Sequence, residues 1–479
     1  MILHTNATPT TRQDPMPTTS SLGVTPPAAP SSATPARAVG LHRRLSLLAL
    51  LGLLALLAFP PLARAVLPIE HWTTPSGARV FFVHAPSIPM IDISVGFDAG
   101  NRHDPGGKSG LSSLTVALLA KGIPGAGEAE IAEGFAKVGA QRGARSGDDR
   151  ASVSLRSLTS PAELDRAVAL LERVIAAPTF PEAIVAREKE RVIQSLRESL
   201  ARPDAIARRT FEQLLYPGHP YGVSPTPESV AAISREDLVA FHQAHFPASR
   251  AVVAMIGAVP RAQAEAIAAR LTANLPPGAV RPEMPAVAPL ARAEERRVEH
   301  PATQSHILIG TPAIAWGDPD QFALTVGNHV LGGGGFVSRL YSRVREQRGL
   351  AYSVYSYFSP ALQPGPFTIG LQTRREQTDL ALKVVRETLE EFLVQGPTDA
   401  EVEAAKANLI GGFALRIDSN AKILGYLSAI GAYGLPLDYL DRWTDRIAQV
   451  DARQIREAFA RHVRADRLVT VVVGAGDSR

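Results

Sequence analysis

No cysteine occurs among the 479 residues. That excludes disulfides, thiol catalysis and a lipid anchor attached through a cysteine, although it names no compartment. Charge of either sign is nearly balanced: the formal net charge is +4, and no dense Lys/Arg run stands out. Nucleic-acid binding, which needs a basic stripe, is therefore not expected. The one long apolar run, Leu45 to Phe59, is shorter than the roughly 20 residues that a membrane span needs. Gly332 to Gly335 are not followed by the Gly-Lys-Ser/Thr of a phosphate-binding loop.

What is present is an ordinary globular composition, long enough for two or more domains. Residues 1–40, rich in Pro, Thr, Ser and Ala without apolar periodicity, are expected to be a disordered leader. His42-Arg43-Arg44, the short apolar run and Ala63-Arg64-Ala65 together read as a signal peptide over 41–65. Export, to a periplasm, follows, with the mature chain starting near Val66. A start at Met16 accounts for part of the long leader. An uncleaved signal anchor is the alternative, and contact with a membrane is expected only in that case.

The remainder repeats itself. Ile233–Gly257 and Val450–Gly474 share a polar residue after an apolar one, a helix, a short turn and a β-branched strand ending in glycine. His245 and His462, Arg250 and Arg467, and Gly257 and Gly474 each lie 217 positions apart. Ser234 and Asp451 suit helix N-caps. Two copies imply two homologous domains, over 66–275 and 293–479, joined by a proline-rich linker at 276–292. Strands are expected at 80–83, 304–310 and 367–371, and a half-buried strand where Ile91, Ile93, Val95 and Phe97 alternate with polar residues or glycine. Helices are expected near 110–121, 128–138, 161–176, 181–200, 318–331 and 399–411, the last opened by a Thr398–Glu401 capping box. Leu382, Val385, Leu389 and Phe392 form an apolar helical stripe and belong to a core. The fold class is α+β, each domain a mostly antiparallel sheet with helices packed on one face.

Several segments resemble the pitrilysin/insulinase family of zinc metallopeptidases. Gly110-Leu111, Lys121 and Gly122 frame a helix that is similar to the family's zinc helix, roughly G-L-A-H-x-x-E-H-x-x-x-K-G. Asp98-Ala99-Gly100, Tyr216-Pro217-Gly218-His219-Pro220-Tyr221-Gly222 and Arg345-Glu346-Gln347-Arg348-Gly349-Leu350-Ala351-Tyr352 extend the likeness over about 67–476. In this register the ligand histidines fall on Ser113 and Ala117, the catalytic glutamate on Val116, and the third ligand, a glutamate, near Ser195, flanked by Glu190 and Glu198. Zinc needs nitrogen, sulfur or carboxylate donors, and its water needs a base; Ser, Val and Ala supply neither. No substitute site emerges. His242 and His245 form H-x-x-H inside the repeated helix, and His103 and His219 are isolated loop residues.

The resemblance implies a short, two-chain member of the family and its noncatalytic subunit. It holds no cofactor itself and pairs with a homologous zinc-binding subunit around a chamber for unfolded peptides. Arg345 and Tyr352, seven residues apart, then hold the substrate carbonyl, where a guanidinium and a phenol are suitable donors to developing negative charge. Gly332, Gly333, Gly334 and Gly335 form a mobile substrate-handling loop by the same resemblance, or a plain flexible turn. A peptide-binding or purely structural partner without a role in hydrolysis is the alternative.

Overall fold

Edge to edge, the first sheet places β1 (Glu70–Thr73), β2 (Arg79–His84), a strand from far along the chain, β3 (Met90–Phe97), then two strands of one hairpin, in a computed structural model that describes residues 68–278 and 283–474. The expected leader and signal peptide lie outside the described residues. After α1 (Leu111–Leu118) and α2 (Glu128–Lys137), the chain makes that hairpin from β4 (Gln141–Ser146), the outer edge, and β5 (Ala151–Leu158). Helices α3 (Pro161–Ala176), α4 (Glu182–Leu200), α5 (Pro203–Leu215) and α6 (Arg235–His245) follow, before β6 (Val252–Gly257) enters the sheet between β2 and β3. It runs parallel to β2 and antiparallel to β3.

The second half repeats this plan. After α7 (Arg261–Ala273), β7 (Glu294–Glu299), β8 (Gln304–Ile314), α8 (Gln321–Asn328), β9 (Ala351–Phe358), β10 (Gly365–Arg374), α9 (Thr378–Gln395), α10 (Asp399–Gly411), α11 (Asn420–Tyr433), α12 (Ala452–His462) and β11 (Val469–Gly474) build a sheet of order β9-β10-β8-β11-β7. Its counterpart is β4-β5-β3-β6-β2 of the first sheet. The sequence repeat is thus α6–β6 and α12–β11, a helix feeding the late strand that runs parallel to β2 in the first sheet and to β7 in the second. Both helices start on reciprocal caps. Ser234 Oγ accepts from Asp237 N–H at 3.2 Å while Asp237 takes Ser234 N–H at 2.8 Å; Asp451 and Gln454 do the same at 2.7 and 3.0 Å. The Thr398–Glu401 box also forms, and Arg339 grips both oxygens of Glu401 at 2.6 and 2.7 Å. That guanidinium holds the Glu401 carboxyl at about 2.

Each sheet carries several helices on one face, and a single helix from the other half covers its second face. Helix α11 lies across the first sheet: Phe81, Val83, Val252, Ala254 and Ile256 share a core with Ile423, Leu427 and Ile430. Gly431 allows this approach, since a Cβ there would sit 2.4 Å from Val252 Cγ1 and 2.6 Å from the Phe81 ring. Reciprocally, Ala207, Phe211 and Leu215 of α5 pack on Val469, Val471 and Val473. The strand expected to be half-buried is therefore buried on both faces: Asp92 and Ser94 are enclosed, and Arg156 satisfies Asp92 with bonds of 2.7 and 2.9 Å. The helix expected at 318–331 is regular only from Gln321 to Asn328 and then widens into a π-helical turn, His329–Gly333. From the linker, Met284, Val287 and Leu290 lean on the α5 cluster.

A buried carboxylate joins the halves. Asp149, in the β4–β5 turn, accepts from Tyr221 OH, from Leu362 N–H at 2.8 Å and from Tyr433 OH at 3.3 Å. Tyr221 OH in turn accepts Gln363 N–H at 3.2 Å. Burial, then the Asp149 charge, pushes the Tyr433 phenol up to about 12. Among the described residues no helix is long and apolar enough to cross a membrane.

Candidate functional site

Helix α1 starts from Gly110, whose φ of +102° places it in the left-handed region that favours glycine. Asp104 caps the turn, accepting from Gly110 N–H at 2.7 Å and Ser112 N–H at 2.8 Å. Burial raises its carboxyl to about 6 against these donors. Leu111, Leu114 and Leu118 bury the inner face, and Val116 joins the core. Ser113 and Ala117 are exposed one turn apart, on the outer face. Ser113 Oγ donates to Asn101 Oδ1 at 3.0 Å. Ser112 Oγ, one residue earlier, donates to Ala99 O at 2.6 Å and meets Ser146 Oγ of the edge strand at 2.7 Å. Ser195 is exposed on α4; Glu198 is also exposed, and Glu190 accepts from the Gln194 amide at 2.7 Å. Lys121 pairs with Glu128 and approaches Glu188 at 3.8 Å. A hydroxyl, a methyl and a buried isopropyl do not form a donor set for zinc, so the residues of α1 do not fit that metal.

The histidines are structural. His242 is buried, and its Nε2–H donates to Ile175 O at 2.8 Å. The His245 ring stacks on Phe241 with centroids 4.3 Å apart. His219 accepts from Tyr221 N–H at 3.1 Å and donates to Pro285 O at 3.1 Å, the capping role open to a loop histidine. His103 contacts Asp98 at 3.0 Å. Among the described residues the one group with three converging ligand atoms is Asp318, Asp320 and His462. His462 Nδ1–H donates to Ala313 O at 2.8 Å, and Arg461 already holds both oxygens of Asp320 at 2.7 and 2.8 Å. We read that group as an ion pair anchoring α12 rather than a vacant metal cage.

In the second half the structure brings the expected pair together. Arg345 lies in a π-helical turn, Tyr341–Glu346. Its guanidinium carbon sits 4.8 Å from the Tyr341 ring centroid and 4.6 Å from that of Tyr352, so the cation bridges two aromatic faces. Tyr352 lies on the edge strand β9, where the register with β10 shifts between Ala351 and Val354. Such a bulge re-aims a side chain, and Tyr352 is 84% exposed. It does not pack into the sheet. Tyr341 was not singled out from the sequence, although it stands four residues before Arg345, the spacing of neighbours on one helical face.

The glycine run is mostly wedged. A Cβ on Gly332 would meet Ser356 Oγ at 2.5 Å, one on Gly333 would meet Asn328 Nδ2 at 2.4 Å, and one on Gly334 would meet His329 O at 2.5 Å. Only Gly335, at φ +62°, faces open space. The protruding element is the pair that follows, Phe336 and Val337, 72% and 77% exposed. Phe336 stands edge-on to Tyr341 at 4.9 Å, linking the turn to the Arg345 stack. A cavity of about 410 Å³ opens beside Tyr352, between the second sheet and α5, lined also by Tyr355, Tyr357, His306, Arg208 and Glu212.

Comparison with known proteins bears on both halves. Residues 79–224 match the description "Insulinase (Peptidase family M16)" and residues 232–409 match "Peptidase M16 inactive domain". A solved structure of a peptidase M16 inactive domain from Pseudomonas fluorescens is 36% identical, with a TM-score of 0.82 over 86% of this chain and 99% of that one. An uncharacterized zinc protease of Mycobacterium bovis is 28% identical over 427 residues, 87% of this chain and 95% of the relative. One from Bacillus subtilis is 26% identical over 362 residues, 74% of this chain and 86% of the relative. A protease from Helicobacter pylori, 18% identical with a TM-score of 0.78 over 85% of this chain and 100% of that one, shares the fold.

Proposed function

The chain belongs to the M16 (insulinase) family of peptidases, and from that premise we propose that it is the noncatalytic subunit of a two-chain zinc peptidase. A homologous partner supplies the zinc and the carboxylate base. This chain supplies half of the chamber wall and two donors for the substrate. The assembly works outside the cytoplasm, in the periplasm, on unfolded peptides.

The observation that carries this reading is the Arg345 stack. Tyr341 and Tyr352 hold the guanidinium from two sides, so little side-chain freedom remains to be lost when a substrate arrives. Tyr352 offers its phenol from a bulge on an unpaired sheet edge, where an extended peptide adds as a further strand. Negative charge growing on the carbonyl oxygen of such a peptide meets a permanent cation and an O–H donor. The Gly332–Gly335 turn, with Phe336 and Val337 at its tip, borders the same stack and contributes apolar contact to the substrate. Helix α1 supports the other half of the reading, because Ser113, Val116, Ala117 and Ser195 supply no ligand and no base.

Zinc retention tests the assignment. After equilibrium dialysis against buffered zinc, the purified chain is expected to keep far less than one equivalent per molecule. One tightly held equivalent, lost when residues around α1 are changed, would overturn the noncatalytic assignment.

A further inference from the structure

A second cavity, of about 590 Å³, lies between the β4–β5 edge of the first sheet and α11. Four arginines line it, Arg142, Arg145, Arg150 and Arg156, against one carboxylate, Asp92. Asp92 is spoken for: Arg156 takes both of its oxygens. Among the described residues, Arg142, Arg145 and Arg150 make no direct ion pair. Arg150 Nη2 is buried beside Gly96 without a hydrogen-bond partner; Arg142 Nη1 is also unpartnered, but strand alternation puts that side chain on the opposite face, with Ser146 against α1. Asp98 and Asp149 act on Arg150 from a distance, but burial outweighs them and lowers its affinity for a proton, as it does for Arg142. Burying a guanidinium donor with nothing to receive its hydrogen bond is costly. In a chain whose net charge is only +4, the exposed Arg145 and the largely buried Arg150 on one cavity, neither in a direct ion pair among the described residues, are not a consequence of composition.

The strand that carries Arg145 gives the ligand its form. β4 is the last strand of its sheet, so among the described residues its outer backbone groups face no partner strand. Arg142 and Arg145 lie on β4, and Arg150 closes the turn that follows. A peptide added along β4 presents alternate side chains at a spacing of roughly 7 Å, and those on the α11 side enter the cavity. We propose that this cavity selects acidic peptide segments: Asp or Glu side chains of a strand-adding peptide pair with Arg145 and receive the unfilled donor of Arg150. The inference rests on the peptide-binding part of the proposed function and adds a substrate class to it. Arginine suits the task because its planar fork pairs bidentately with a carboxylate.

The test uses the purified chain and fluorescein-labelled peptides that differ only in carrying Glu, Gln or Lys at alternate positions. Fluorescence anisotropy at low salt is expected to show the Glu peptide binding about tenfold tighter than the Gln peptide, with the Lys peptide weakest. Arg145→Gln, on the accessible edge strand, is expected to abolish most of the Glu-over-Gln preference while leaving Gln-peptide affinity in place. Arg150→Gln is the second variant, and its folding is checked by circular dichroism. Equal affinity for Glu and Gln peptides would overturn the inference and leave peptide binding standing. A Glu preference that survives both Arg145→Gln and Arg150→Gln would place the anion site elsewhere and also overturn it. Binding of none of the peptides would overturn the peptide-binding reading itself.

Discussion

In the proposed two-chain peptidase, Arg345→Ala is expected to lower kcat by about 10²–10³, the cost of removing one transition-state donor, while the complex still forms. The side chain is half-buried and held by two rings rather than by core packing. On the proposed reading its truncation therefore removes a charge that meets substrate more than it removes stability. Arg345→Lys restores little, because a lysine keeps the charge and loses the flat cation that stacks between Tyr341 and Tyr352. Tyr352→Phe isolates the phenol: the ring still covers the guanidinium, and only the O–H donor is gone. Both changes act on kcat more than on KM if the donors engage charge that exists only in the transition state. Steady-state kinetics on the reconstituted pair decides. An Arg345→Ala complex with wild-type kcat would mean that the stack is architectural, as the structural-partner alternative holds.

Asp149→Ala is the second large effect, and it falls on stability. Asp149 is buried, and three donors from three segments converge on it: Tyr221, Leu362 and Tyr433. Arg102 Nε lies 3.8 Å away. Removing the carboxylate strands two phenols, a backbone N–H and part of a guanidinium in a dry site. Each donor left without its charged acceptor costs about 1–3 kcal/mol, and breaking a buried charged pair from one side costs about 3–5 kcal/mol. An overall loss of about 3–5 kcal/mol is expected in urea unfolding. Asp149→Asn loses less, because one carbonyl oxygen can still accept from Leu362 N–H. Because the site ties the β4–β5 turn to the 362–363 segment and to the end of α11, the loss is expected to loosen one half from the other. A change below about 1 kcal/mol would show that these contacts are bystanders to folding.

The repeat was legible because it is written twice in the same chemistry. Ser234 and Asp451 cap, His245 and His462 close the helices, and the valine-rich strands end at Gly257 and Gly474. The two helices that matter most for how the halves meet, Pro203–Leu215 and Asn420–Tyr433, were not among the expected elements. Their apolar residues serve the sheet of the other half of the chain, and nothing in their neighbourhood signals that partner. The same omission made Ile91–Phe97 look half-exposed. Alternation of Asp92 and Ser94 with apolar residues reports polarity, whereas α11 decides burial. At the site, the Arg345–Tyr352 spacing led to a real contact, but the second ring, Tyr341, escaped notice. The glycines were read for flexibility. Three of them instead answer to close approach by Ser356, Asn328 and His329, and the exposed tip is Phe336–Val337. Arg145 of β4 and Arg150 of the following turn could not be gathered into one cavity before the edge strand and α11 were placed together.

The measurement that bears most directly on the central claim is hydrolysis of a quenched fluorescent peptide mixture by the purified chain, alone and mixed with a homologue that carries H-x-x-E-H. The expected result is activity in the mixture only, abolished by a chelator and restored by zinc. Chelator-sensitive cleavage by this chain alone, scaling with bound zinc, would contradict the account, because it would require a metal site that Ser113, Val116 and Ala117 cannot make.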